Sequence, residues 1–374
     1  MSVLVSVVVP NYNHIKYLGQ RLKSIAEQTY RNLEIILLDD ASSDNSLSVL
    51  DDFVKSESRV RTLIKNTQNS GGAFSQWMKG VEQVTGKYLW IAETDDFSDL
   101  RFVETLVNKL EQNENAAVAY CHSNWIDSEG CRLGLMDIHA PYFKKNYWQS
   151  DFCLDGDEVN RDLMPYRNVI RNASSALFRT STFKGALAGF TPSGKIDDWL
   201  FYVQLLKGNM LCFSDTELNF CRLHASNFSR SLTSHSYNKN SRERINVLRK
   251  ISALYPEQVH CVSDALKILW SNRFKYKAVD NLLLKHEKMG CYGLYGFNDL
   301  SKYFVSRCTN KPKVIFDKKV INSSYTGIPM SQIDSSYLSQ LDTVVVTSIF
   351  YRAQMTETLK NMGYAGQVVY LEIT

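Results

Sequence analysis

Over the first 125 residues, short apolar runs alternate with segments whose apolar residues recur every three or four positions. Residues 3–9, 33–38, 60–64, 88–92 and 116–120 are short, β-branched or aromatic, and bounded by turn formers, which is the pattern of buried strands. Between them, 17–28, 46–56, 74–84 and 102–112 carry helical stripes such as Leu18, Leu22, Ile25 and Phe102, Leu106, Leu110. A chain that alternates in this way is expected to build an α/β fold with a mostly parallel central sheet. Ligands of such sheets bind beyond the carboxyl ends of the strands, so the chemistry is sought there.

The rest of the chain divides by pattern. Residues 126–230 are less regular, with 174–178, 210–213 and 217–223 strand-like and 199–206 helical. From about 236 to 288 helical stripes dominate, among them Ile245, Leu248, Ile251 and Leu254. Strand and helix patterns then resume from Gly290. The expected domains are 1–232, a helical connector at 233–289, and a small α/β unit at 290–374. The net charge of +4 is too mild for a nucleic-acid partner, but it is unevenly spread. Residues 231–290 hold eleven Lys and Arg against five Asp and Glu, so the remainder is slightly acidic. A basic helical face of this kind either stays solvated or docks an anionic surface, which makes peripheral membrane contact through 233–289 an expectation to test.

Eight cysteines lie scattered without a CxxC, which predicts neither a zinc site nor a disulfide framework and fits a reducing compartment. With no signal-peptide pattern and no apolar run near the roughly 18 residues a bilayer requires, a cytoplasmic protein is expected.

Five segments carry candidate chemistry. The first strand leaves the sheet through Pro10-Asn11-Tyr12-Asn13-His14, which places an aromatic ring and amides at the carboxyl edge. The second strand ends in Asp39-Asp40, adjacent carboxylates that repel unless they bind something, while Asp44 is suited to cap the next helix. The fourth ends in Glu93-Thr94-Asp95-Asp96, and clustered carboxylates suit a hard divalent cation shared with substrate phosphates. Asp197-Asp198 opens a helix, where the dipole stabilises negative charge and a carboxylate can serve as a general base. Arg222-Leu223-His224 follows a strand and could contact phosphate or metal.

In this order the five segments, with the turn Asn69-Ser70-Gly71-Gly72, resemble the family 2 glycosyltransferases of GT-A fold, inverting enzymes that use nucleotide sugars. The resemblance spans about residues 3–230. It implies that Pro10 and Tyr12 line a uracil pocket, with Asp39 or Asp40 hydrogen-bonding the base. It places Gly71, Asp95 and Arg222 with the donor, and Asp95, Asp96, Glu93 and His224 at a Mn²⁺ or Mg²⁺ site. It makes Asp198 the catalytic base, with Asp197 the alternative. The implied partners are a UDP-linked sugar donor and a hydroxyl on a glycan or lipid-linked acceptor. Departures from the family pattern are Glu93 at the head of the metal motif, Asp-Asp at the base, and Ser75-Gln76-Trp77 after the glycine turn.

The unit at 290–374 resembles a half-Rossmann module, with Gly293, Gly296 and Asp299 in a GxxGxxD run and Asp317 ending the next strand. A carboxylate at the last position opposes pyrophosphate, so an accessory or homo-oligomerisation domain is expected. Two rival functions make different demands. An inactive GT-A scaffold would have lost carboxylates that this chain keeps, and a sugar-nucleotide-modifying oxidoreductase would need a better glycine loop. The aromatic run Tyr142, Phe143, Tyr147, Trp148 either stacks on sugars or packs.

Overall fold

The computed structural model describes residues 2–139, 143, 145–192, 197–224, 234–256, 261–266, 279, 282–283, 290–296, 299–308, 310–317, 323–347 and 352–370. The chain forms two compact units, one of residues 1–230 with 242–265 and the other of 231–241 with 266–374. The basic stretch expected as a connector is therefore divided between them.

The first unit opens as the alternation predicts: β1 (Val5–Asn11), α1 (Ile15–Ala26), β2 (Leu33–Asp39), α2 (Ser46–Ser56), β3 (Val60–Lys65), α3 (Ala73–Val81) and β4 (Tyr88–Ile91). There follow β5 (Phe97–Ser98), α4 (Phe102–Glu111), β6 (Ala116–Ile126), β7 (Arg132–Leu135), β8 (Phe152–Asp155) and α5 (Gly156–Asp162). The unit continues with β9 (Ala176–Arg179), α6 (Thr180–Leu187), α7 (Asp197–Leu206) and β10 (Met210–Arg222), and α8 (Ser234–Leu254) comes next in the chain. The sheet runs β3-β2-β1-β4-β9-β6-β10-β5, with β7 on β6 and β8 on β10. Strands β1 to β4 are mutually parallel, as are β6 and β10, while β9 enters antiparallel between β4 and β6. Because β2 and β3 lie on one side of β1 and β4 on the other, the strand order reverses at the β1/β4 boundary, the kind of point where open α/β sheets bind ligands.

Full burial of β1 and β2 explains their unbroken apolar runs, which pack with Leu18, Leu22, Ile25, Phe102, Leu106 and Leu110 from the striped helices. The two runs expected at 210–213 and 217–223 are a single strand, β10, whose register on β6 shifts around Ser214 and Glu217. Those irregularities interrupt the alternation and read as a gap in sequence. Gly156 is required by close approach, since a Cβ there would lie 2.1 Å from the Leu206 carbonyl oxygen. Of the aromatic run, Phe143 and Trp148 pack together and the Trp148 indole donates to the Tyr120 hydroxyl at 2.6 Å; Tyr142 lies outside the described residues.

Cysteine spacing misled in one place. Cys153 and Cys212 form a disulfide, because the antiparallel register of β8 on β10 sets them directly opposite. No sequence interval reveals a pair that strand register creates.

The second unit has a six-stranded sheet of β11 (Tyr292–Tyr295), β12 (Val314–Phe316), β13 (Ser323–Tyr325), β14 (Ile328–Ser331), β15 (Thr343–Val346) and β16 (Gln367–Tyr370). Its order is β13-β14-β12-β11-β15-β16, and all pairs except β13–β14 are parallel. Five parallel strands, β11 with two on each side, make a doubly wound sheet, more than the half module expected. Buried residues cover both faces, Leu294 and Phe304 in one cluster and Phe316 and Val346 in the other. Among the described residues no helix is long and apolar enough to cross a membrane.

Candidate active site

The loops after β1, β4 and β10 meet at the carboxyl edge of the first sheet. A ring nitrogen from His14, a ring nitrogen from His224 and a carboxylate oxygen of Asp95 all lie within 4.8 Å of one another. His224 Nε2 is 3.1 Å from Asp95 Oδ2, and the two imidazoles meet edge to face with centroids 5.7 Å apart. The Thr94 hydroxyl donates to the Pro10 carbonyl at 3.2 Å and sits 2.8 Å from His14 Nδ1. Burial lowers the His14 pKa despite the opposing pull of Asp95, which keeps the imidazole neutral at pH 7. Burial pushes Asp95 upward, but the His224 hydrogen bond and the His14 charge outweigh it and hold the carboxyl below its usual range.

Glu93 and Asp96, expected at the metal beside Asp95, have their carboxylates on other partners. Glu93 Oε1 accepts from the Trp77 indole at 2.5 Å, and burial with the neighbouring Asp95 charge pushes its carboxyl up to about 8. Asp96 accepts from Asn172 Nδ2 at 2.8 Å and from the Arg222 backbone N–H at 3.0 Å; burial, then Asp95, raises it to about 6. The pair sits over a buried cation, since Arg21 Nε donates to the Glu93 carbonyl at 2.7 Å. Arg222, expected at the diphosphate, is buried and works as a clamp. Its Nε donates to the Asp95 carbonyl at 2.9 Å, Nη1 to Asp127 O at 3.0 Å and Nη2 to Gln20 Oε1 at 2.5 Å, with the guanidinium over the Tyr17 ring.

The acidic pair ending β2 escapes its mutual repulsion through separate partners. Asp39 accepts from Asn11 Nδ2 and the Ser42 N–H, both at 2.9 Å. Asp40 accepts from Asn66 Nδ2 (2.7 Å), Gln76 Nε2 (2.9 Å) and the N–H of Ser70 (2.9 Å), so it anchors the turn that contains Gly71. Gly71 adopts φ +88°, a conformation that glycine takes without cost. Pro10 is buried within β1 while Tyr12 is 45% exposed beside it. Asp44, expected as the cap of α2, lies one residue before its N-cap Asn45; it accepts from Ser46 N and also from Ile15 N at the start of α1, both at 3.0 Å.

Asp197 and Asp198 begin α7. Asp197 is buried and Asp198 half-buried, which makes Asp198 the more accessible of the two. Asn168 Nδ2 donates to Asp198 Oδ2 at 3.2 Å. Burial first and the Asp197 charge second push Asp198 up to about 6, against the Trp199 N–H and the Arg171 guanidinium. One turn along, the buried Tyr202 hydroxyl has no hydrogen-bond partner among the described residues and feels the charges of both Asp198 and Glu93.

Sequence reasoning overlooked the segment that joins these groups. In residues 168–174, Asn168 holds Asp198, Asn172 holds Asp96, and the Ser174 hydroxyl accepts from the Glu93 N–H at 3.1 Å. Its signal is Asn168 and Asn172 shortly before a strand, which is faint without the partners in view. His14 stood inside a segment already singled out, but no spacing links it to Asp95 or His224.

Comparison with known proteins finds relatives for the part of the chain that carries the loops after β1 and β4. The sequence model of "Glycosyl transferase family 2" matches residues 6–154. The glycosyltransferase GlyG of Streptococcus pneumoniae is 39% identical over 130 residues, covering 35% of this chain and 42% of that protein. An uncharacterized glycosyltransferase of Haemophilus influenzae is 27% identical over 241 residues, 64% of this chain and 71% of that one. The match thus takes in less than half the length of the pneumococcal relative. Among solved structures, Staphylococcus aureus TarS 1–349 in complex with UDP-GlcNAc aligns with a TM-score of 0.53 at 17% identity, over 81% of this chain and 78% of that chain. At that identity the likeness is one of fold, and it is the GT-A fold. Residues 6–154 thus resemble glycosyl transferase family 2 in sequence, within a unit of GT-A fold.

Proposed function

We propose that this chain is an inverting, metal-dependent glycosyltransferase that moves a sugar from a UDP-linked donor to a hydroxyl of a glycan or lipid-linked acceptor. The observation that carries the reading is the pairing of two unlike acidic sites in one unit. Asp198, raised to about 6, is suited to take a proton, and the His14–Asp95–His224 group is suited to hold a cation. The bound UDP-GlcNAc of TarS supports the donor class.

Asp198 accepts the acceptor hydroxyl's proton as that oxygen bonds to the anomeric carbon from the face opposite the leaving group. The bond from that carbon to the phosphate oxygen breaks, and its electron pair departs with the nucleoside diphosphate. Asn168 orients the Asp198 carboxylate, and Asp197 with the apolar burial around it keeps the carboxylate basic. Asp95 and His224 would hold the ion, with Asp96 and Glu93 supporting the loop from behind. A bound Mn²⁺ or Mg²⁺ would neutralise charge that gathers on the leaving diphosphate. Asp39, Asp40, Pro10 and Tyr12 shape the uracil side, with the carboxylates acting through the loops they anchor.

A thermal-shift screen of nucleotide sugars with and without Mn²⁺, followed by donor hydrolysis on the hits, tests the reading. Asp198→Asn should lose at least a hundredfold in turnover while its donor affinity stays within about threefold. Wild-type turnover in that variant removes Asp198 from the mechanism. Donor binding with no turnover by the wild-type chain on any acceptor would instead mark an inactive scaffold.

A further inference from the structure

We infer that His14, Asp95 and His224 form a transition-metal site of two imidazoles and one carboxylate, in which His14 is a metal ligand and Mn²⁺ and Co²⁺ are bound in preference to Mg²⁺. The inference rests on the metal-dependent reading above and adds which residues hold the ion and which ions they select. The three residues come from loops at the ends of β1, β4 and β10, more than 200 residues apart in the chain, yet one donor atom of each falls within 4.8 Å of the others. Around an octahedral ion with bonds of about 2.1 Å, neighbouring ligand atoms stand about 3 Å apart and opposed ones about 4 Å. The 3.1 Å from His224 Nε2 to Asp95 Oδ2 already matches the first spacing.

The surroundings favour ligation over a plain His–Asp hydrogen bond. Thr94 donates its one hydroxyl proton to the Pro10 carbonyl, so toward His14 Nδ1 it can only accept. In the tautomer with the proton on Nδ1, His14 Nε2 keeps a free lone pair, the arrangement outer partners impose on metal-binding histidines. The edge-to-face rings, at an interplanar angle of 84°, do not block one another as stacked rings would. Asp95 is anchored from behind, its carbonyl held by Arg222 Nε. Glu93 and Asp96 do not compete, since the Trp77 indole, Asn172 and the Arg222 N–H hold their carboxylates.

The donor set decides the ion. Imidazole nitrogen suits the later first-row metals, whereas Mg²⁺ requires oxygen ligands and dehydrates reluctantly. Three protein ligands also leave positions for water or phosphate oxygens.

Calorimetric titration of the full chain with Mn²⁺, Co²⁺ and Mg²⁺, without nucleotide, tests this. Co²⁺ should bind more tightly than Mn²⁺, and Mg²⁺ at least tenfold more weakly than Mn²⁺. His14→Ala should weaken Mn²⁺ at least tenfold and alter the visible absorption of the Co²⁺ form, while Asp96→Asn keeps Mn²⁺ affinity within threefold. If near-ultraviolet circular dichroism shows His14→Ala misfolded, Thr94→Val decides: a tenfold weakening restored by Thr94→Ser supports the site, and wild-type affinity refutes it. Wild-type Mn²⁺ affinity and Co²⁺ spectrum in a folded His14→Ala, or equal binding of Mg²⁺ and Mn²⁺, overturns the inference. Metal binding with this pattern but no sugar transfer would refute the transferase reading and leave the site standing. Transfer accompanied by a His14-independent metal would do the reverse.

Discussion

Asp198, the proposed base, sits at the head of α7, where burial and Asp197 push its pKa up to about 6 while Arg171 and the Trp199 N–H pull the other way. A base acts in its ionised form, so transfer should be level above about pH 7 and fall about tenfold per pH unit below about 6. Removing Arg171 takes away a cation that favours the carboxylate, so Arg171→Ala should move the acid limb to higher pH. Rates of donor turnover between pH 4.5 and 8.5 check both shifts; a limb near pH 4 that ignores Arg171 would exclude Asp198 as the base. The residues legible in sequence were those that repeat a type at the end of an element: Asp39-Asp40 and Asp95-Asp96 after strands, Asp197-Asp198 at the head of a helix. What each carboxylate touches was not legible, because Asn168, Asn172 and Arg21 are single residues that chain folding brings beneath the loops. Arg222 illustrates the limit, since a cation near a phosphate site and a cation clamping carbonyls have the same sequence pattern.

Elements that bury one stripe or both faces declared themselves, and elements held by polar contacts did not. The helices α1 to α4 follow their apolar stripes to within a few residues. The seven-residue α5 was missed because its hold is largely polar. Asp155 caps it, accepting from the N–H groups of Asp157 and Glu158, and Asn160 Nδ2 donates to Val203 O on α7 at 2.8 Å. Tyr255, just beyond α8, completes this join: its hydroxyl donates to Asp157 Oδ1 at 2.5 Å and accepts from Asn160 Nδ2 at 3.1 Å. Tyr255→Phe should therefore cost about 1.5–3 kcal/mol at pH 7, the range for a hydrogen bond to a charged group, as read by urea unfolding of the first unit. Burial alone would raise the Asp157 carboxyl, but the Tyr255 hydrogen bond and its other partners outweigh it and lower the pKa. The stability from that shift is present above the unfolded value near 4 and lost as pH falls through the lower folded value, so the gap between variant and parent should narrow toward pH 3. A gap unchanged by acid would mean that Asp157 contributes nothing through Tyr255.

At the scale of the whole molecule, the chain joins a GT-A unit to a second sheet of five parallel strands wound both ways from β11. Each unit has its own core, so each can lose structure by itself. The candidate residues His14, Asp95, Asp198 and His224 all belong to the first unit, and a ligand stabilises only what binds it. Calorimetric scanning should therefore resolve two transitions, with Mn²⁺ plus a UDP-sugar raising one and leaving the other in place. At a free concentration of 100 times Kd the gain is about 2.7 kcal/mol. For a unit of this size that corresponds to a rise of roughly 5–10 °C. Assigning the transitions needs an internal marker, and Asp95→Asn supplies it by abolishing the rise without touching the second sheet. NAD provides the opposing control. A chain working as an oxidoreductase through its second unit would show the other transition climbing with NAD and the first indifferent to Mn²⁺ and UDP-sugar. That result would move the centre of activity out of the loops after β1, β4 and β10, and it would leave their carboxylates and histidines with the structural tasks already traced in their hydrogen bonds.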